Sequence, residues 1–159
     1  MSWLFVIAFA VVTLTAGDAA GCCSGAAWWT HLTYCFPHGN VAHLAADSVA
    51  LVCLSSSLRR RHPGICLEAY AAAVAASFIG VYGRTLVGSS GMSYYMAGCL
   101  AADLWTLDKT RRREASVFTL SVAVMTAVSA LSPSSALALH CVCLAAGIVS
   151  SLVTTACRA

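Results

Sequence analysis

The chain has 159 residues, of which 60% are hydrophobic and only 9% charged, with a mean hydropathy of +0.82 and a formal charge of +3. Soluble domains carry roughly a quarter of their residues as Asp, Glu, Lys and Arg, so a water-soluble enzyme is excluded and a chain embedded in lipid is expected. The basic runs are too short for a nucleic-acid surface, and no phosphate-binding loop, dinucleotide fingerprint or internal repeat is present.

Six apolar stretches follow one another at residues 2–17, 40–57, 65–83, 90–106, 115–131 and 135–156. A helix rises 1.5 Å per residue, so about 20 residues cross about 30 Å of hydrocarbon, and each stretch approaches that length. Lipid cannot satisfy backbone groups, and the long Ala, Leu and Val runs lack strand alternation, so every stretch is expected to be helical. The expected fold is an all-α membrane protein, a bundle of six transmembrane helices forming one domain over residues 1–159.

The first stretch has a second reading. Followed by Ala16-Gly17-Asp18-Ala19-Ala20, it resembles a secretory signal with a small-residue cleavage region, although it lacks a basic leading segment. Next comes a loop at 18–39 in which Trp28 and Trp29 suit a membrane interface and His31 is an interfacial loop residue. Its Cys22, Cys23 and Cys35 lie where a disulfide is possible but no pairing can be deduced. The second stretch opens after Pro37-His38-Gly39-Asn40, and the third carries Glu68 near its start. The fourth begins at Ser90 behind Gly88-Ser89 and ends near Asp103, the fifth follows a basic loop, and the sixth carries His140 about five residues from its start.

Orientation follows from the nine basic residues. Arg59, Arg60 and Arg61 lie between the second and third stretches, Lys109, Arg111, Arg112 and Arg113 between the fourth and fifth, and Arg158 after the sixth, with Arg84 alone on the other side. That asymmetry places both termini and the two basic loops in the cytoplasm, in contact with anionic lipid, and the loops at 18–39, 84–89 and 132–134 outside.

On this topology His38, His43, Asp47, Ser90 and His140 converge on the outer third of the bundle. Ionisable groups within a membrane are costly and imply function. A serine hydroxyl becomes nucleophilic when a neighbouring base takes its proton, which neutral His140 can do for Ser90. Gly88 and Gly91, flanking Ser89 and Ser90, allow a tight turn at a helix start whose free N–H groups face a reacting carbonyl, and His43 is a candidate second donor. Tyr94, one turn below Ser90, is placed to pack on the His140 ring. Gly98 and Gly147, two turns below Ser90 and His140, would let those helices approach closely.

These residues resemble a known family, the rhomboid intramembrane serine proteases, over about residues 28–150. The resemblance rests on three motifs. One is the aromatic-rich run Leu32-Thr33-Tyr34-Cys35-Phe36-Pro37 leading to His38 and His43; the second is Gly88-Ser89-Ser90-Gly91 with Tyr94 and Gly98; the third is His140 with Gly147. It implies a cofactor-free endopeptidase in which a Ser90–His140 dyad cleaves transmembrane segments of single-pass or other membrane proteins near their outer ends through an acyl-enzyme. A lateral opening between helices and a water-filled cavity are implied by the family as well. Separately, a charge-poor N-terminus without appended domains suggests a bacterial cytoplasmic membrane, with an organellar or other eukaryotic membrane as the alternative, and the loop charges put the site toward the outer side.

Three features depart from the family pattern, one of them the short loop after the first stretch, with Trp28-Trp29-Thr30 where the family often has Trp-Arg. Asp47 stands where the family has asparagine, and an ionised carboxylate cannot donate a hydrogen bond to an oxyanion whereas an amide or a protonated acid can. Losing one such donor costs about 10²- to 10³-fold in rate, so a weak or inactive protein that binds transmembrane helices is the alternative function. Cys143 stands where the family has glycine, a small-for-small exchange. The competing chemistry, zinc held by His38 and His43 with Asp47 or His140, fits poorly because residues five apart diverge by about 140° around a helix; no metal is expected.

Overall fold

The structure, a computed structural model, describes residues 1–16, 21–23, 25–79, 85–106, 109–131 and 136–158. Among these lie seven α-helices: α1 (Ser2–Thr15), α2 (Thr30–Thr33), α3 (Val41–Leu58), α4 (Ile65–Ser77), α5 (Ser90–Thr106), α6 (Arg112–Ala130) and α7 (Leu137–Ala156). No strand occurs among the described residues, only one isolated bridge between Cys22 and Leu86.

Each apolar stretch contains one helix, with boundaries set by local bonding rather than by hydropathy. Asn40 has an extended backbone, φ −165°, and its side chain accepts a 2.8 Å bond from the His43 N–H, which caps α3. The third stretch yields a shorter helix than expected, since Phe78 N bonds Ala75 O and Ile79 N bonds Ala76 O. Such i→i−3 bonds tighten and end a last turn, so α4 stops at Ser77, and positions 80–83 lie outside the described residues. Helix α6 instead begins before its apolar run, at Arg112, with Glu114 in its first turn paired to Arg111. Arg and Glu are good helix formers, so polarity marks the lipid boundary and not the helix boundary. The unanticipated α2 is a single turn in the connection between α1 and α3.

Helices α3 and α7, at 18 and 20 residues with mean hydropathies of 1.5 and 2.0, are long and apolar enough to cross a membrane, and α1 and α4 are shorter apolar helices. Helix α5 is the centre of the bundle, packed on α3, α4, α6 and most extensively on α7. Its buried residues include Met92, Tyr95, Met96 and Cys99, whereas α6 buries only Ala115. A Cβ on Gly98 would run into the Leu144 carbonyl and one on Gly147 into that of Tyr95, so the α5 and α7 backbones touch with nothing between them. The Cys99 thiol donates to the Gly147 carbonyl at 3.2 Å across the same contact.

Helix α1 packs on α3. Its Phe9 is fully buried, with Phe36 and His38 at ring separations of 5.8 and 5.3 Å. Apolar side chains such as Leu4, Ile7, Leu120, Val124 and Val153 point outward, as lipid contact requires. All nine cysteines are free thiols. Cys35, in the loop before α3, is buried, which pushes its thiol up to about 12.

Candidate active site

The turn ahead of α5 is held from two sides. Cys22 and Leu86 exchange backbone bonds of 3.0 and 2.5 Å, and the Gly88 N–H donates to the Tyr34 carbonyl at 3.0 Å. Tyr34 is itself pinned, since its buried hydroxyl donates to the Ala73 carbonyl at 2.8 Å. Gly88 has φ +102°, and a Cβ there would lie 2.7 Å from the His43 ring and 3.2 Å from Asp47 Oδ2. Both the backbone conformation and the space call for glycine. The left-handed turn then delivers Ser90 as the first residue of α5.

His140 lies in the first turn of α7 and is buried. Its Nε2 is 2.9 Å from Ser90 Oγ, and its ring stacks on Tyr94 with centroids 4.3 Å apart and planes at 12°. On the far side of the ring Nδ1 is 3.3 Å from Ser129 Oγ of α6. With the hydrogen on Nδ1 directed at Ser129, the Nε2 lone pair is left to accept from the Ser90 hydroxyl, the tautomer a general base needs.

A second cluster surrounds Asp47. Ser89 Oγ donates to Asp47 Oδ2 at 3.2 Å, and the same oxygen is 3.3 Å from His38 Nε2 and 3.6 Å from His43 Nε2. The His38 approach is not aligned as a hydrogen bond. His38 precedes α3, so the angular argument that keeps it apart from His43 fails: the two rings meet edge to face at 5.1 Å. Even so, no group of three His, Cys, Asp or Glu among the described residues is disposed to hold a metal ion. Thr13 of α1 stands behind, its Oγ1 accepting from the His38 N–H at 3.1 Å.

Beside the dyad a cavity of about 390 Å³ opens between α3, α5 and α6. Ser90, Ser93 and Asp47 supply its polar edge, and Leu54, Phe118 and Met125 its apolar wall.

The Rhomboid domain family matches residues 25–157, most of the chain. This protein belongs to the rhomboid family. Among curated proteins and among solved structures, none matches it. Rhomboids are in general intramembrane serine proteases acting on membrane proteins in lipid, which accords with the apolar helices here and makes this chain an integral membrane protein.

Within the rhomboid domain all eleven singled-out positions occupy one region or the helix contact beneath it. Ser90, His140 and Tyr94 form one group, His38, His43, Asp47, Ser89 and Gly88 the other, and Gly98 and Gly147 the contact below. Gly91 has a role other than the one expected. It sits inside α5 without a positive φ, and a Cβ there would be 3.3 Å from Ala73 Cβ and 3.5 Å from Cys143 Sγ. It therefore serves packing against α4 and α7, and Gly88 alone makes the turn. Sequence reasoning missed Ser129 and Thr13. Ser129 had a signal: it lies three residues before the 132–134 loop and His140 six after it, so the two stand within about one helical turn of the same depth.

Proposed function

We propose that this rhomboid is an intramembrane serine endopeptidase with Ser90 as nucleophile and His140 as general base. The observation that carries the reading is the 2.9 Å approach of Ser90 Oγ to His140 Nε2 across fifty residues of sequence, with the ring fixed by Tyr94 and Ser129. Ser90 Oγ attacks the scissile carbonyl carbon while its proton passes to Nε2. The carbonyl oxygen becomes an oxyanion facing the first N–H groups of α5, which a helix leaves without intrahelical partners, and the His43 ring beside Gly88. Collapse breaks the C–N bond, the amine leaves with the proton from His140, and water hydrolyses the acyl-enzyme in a second round of the same proton transfers. A substrate helix laid in the cavity between α3 and α6 would bring an unwound segment to Ser90.

The topology that goes with this reading has six spans, both termini in the cytoplasm and the dyad toward the outer side, supported by the charge asymmetry of the loops. Cleavage of a reconstituted single-pass substrate, lost on Ser90→Ala, is the direct test; a Ser90→Ala protein that cleaves like the parent would sink it.

A second reading, a rhomboid that binds transmembrane helices with little turnover, draws on Asp47. In this position the carboxylate accepts from Ser89 and faces two imidazoles, so it is spent as an acceptor rather than offered to an oxyanion.

A further inference from the structure

A buried carboxylate lies at the other end of the helices that carry the dyad. Asp103 is 6% exposed on α5, 13 residues after Ser90, or about 20 Å along the helix. It has no place in the chemistry, yet a buried charge is retained only where it is compensated. Its Oδ1 accepts a 2.5 Å bond from Ser151 Oγ of α7, a residue that is fully buried and lies 11 positions after His140. Its Oδ2 is 3.6 Å from Arg61 Nη1 and 3.7 Å from the buried His62 Nε2, both in the connection between α3 and α4. Arg61 is tied in turn to the chain end, its carbonyl accepting from Arg158 Nη2 at 2.9 Å.

The same pair of helices is thus joined twice, by Ser90 with His140 at one end and by Asp103 with Ser151 at the other. Between them the contact is Gly98 and Gly147 against bare backbone. Such a contact sets how closely the helices approach, and the directional bonds along it add a preference for where along the axis they meet. Two weaker links cross it nearby, the Cys99 thiol, a weak donor, to the Gly147 carbonyl and the Tyr95 hydroxyl with Ser150. We propose that Asp103 is a positioning residue: by accepting from Ser151 it fixes the axial register of α5 on α7 and so holds Ser90 Oγ within reach of His140 Nε2. This rests on the reading of Ser90 and His140 as the reacting pair. A misplacement of 1 Å at a reacting centre can cost about 10²-fold in rate, so a small slip suffices.

The test is the rate at which a fluorophosphonate labels Ser90 in the full-length, detergent-solubilised protein, compared among the parent, Ser151→Ala, Asp103→Leu and Asp103→Asn, with thermal unfolding followed in parallel. Ser151→Ala and Asp103→Leu are expected to label about ten-fold more slowly or worse. Asp103→Asn, which keeps an oxygen for Ser151 while losing the charge toward Arg61 and His62, is expected to stay near the parent. A purely structural role would not separate Asn from Leu in this way. Parental labelling by Ser151→Ala overturns the proposal, and so does an Asn variant as slow as Leu. If Asp103→Leu fails to fold, Ser151→Ala and Asp103→Asn still decide. A parent that does not label at all overturns the catalytic reading itself, whereas a labelled parent with unaffected variants overturns only the role of Asp103.

Discussion

Ser90 and His140 meet because each stands in the first turn of its helix, at a depth set by the length of the apolar run behind it. Depth can be read by counting residues, so this pair and the Tyr94 stack were legible in the sequence. What counting does not reveal is the path of chain outside helices. His38 reaches Asp47 because residues 34–40 bend back over the start of α3, and Ser129 reaches His140 because α6 and α7 are joined by a short connection. The Ser129 contact carries a prediction: with Nδ1 no longer offered an oxygen, Ser129→Ala should slow turnover by up to about ten-fold through loss of ring orientation, with little change in substrate KM. An unchanged kcat would show that Tyr94 alone orients the ring. Asp47 carries another. An amide there supplies an N–H where the carboxylate supplies none, so Asp47→Asn should raise the labelling rate of Ser90, by as much as about 10²-fold if one oxyanion donor is restored. A fall instead would mean that Asp47 is needed as the acceptor that holds Ser89 and the imidazoles.

At the scale of helices, hydropathy located six of the seven, and it erred at their ends for local reasons. Helix α4 is closed by i→i−3 bonds before its apolar run is used up, α6 starts among charged residues that favour helix, and α2 is a single turn with no periodicity to detect. The spacing of Gly98 after Ser90 and Gly147 after His140 is the most informative element-level signal in the sequence, since it marks the α5–α7 contact. That contact is the expected weak point. Gly147→Ala drives a methyl group into the Tyr95 carbonyl, and overpacking of this kind costs about 1–3 kcal/mol, so the variant should unfold at lower temperature and label slowly at Ser90. Parental stability and labelling would show that the helices can separate without disturbing the dyad.

Across the whole molecule the polar residues gather at two ends. The dyad and the Asp47 cluster occupy one end of α5, and the Asp103 network the other, with apolar side chains between and around them. The basic loops flank the Asp103 end, which the positive-inside rule assigns to the cytoplasm. Membrane-impermeant labelling of single cysteines introduced in a cysteine-free background should therefore reach positions 59–60 and 158 only from the cytoplasmic face and Gly39 only from the outer face; the reverse pattern would invert the proposed topology. All-helical membrane architecture was legible from composition alone, and counting residues already put Asp103 beside the arginine clusters, where ion pairing such as that with Arg61 is expected; its bond to Ser151 of α7 and the tie through Arg61 to the chain end were not legible, because a lone serine in an apolar helix gives no signal of its partner. The central claim, an activated serine, is tested most directly by fluorophosphonate labelling of the solubilised parent beside Ser90→Ala and His140→Ala. Labelling of the parent that disappears in both variants is the predicted result; a folded parent that stays unlabelled, or a Ser90→Ala protein that still labels, would contradict it.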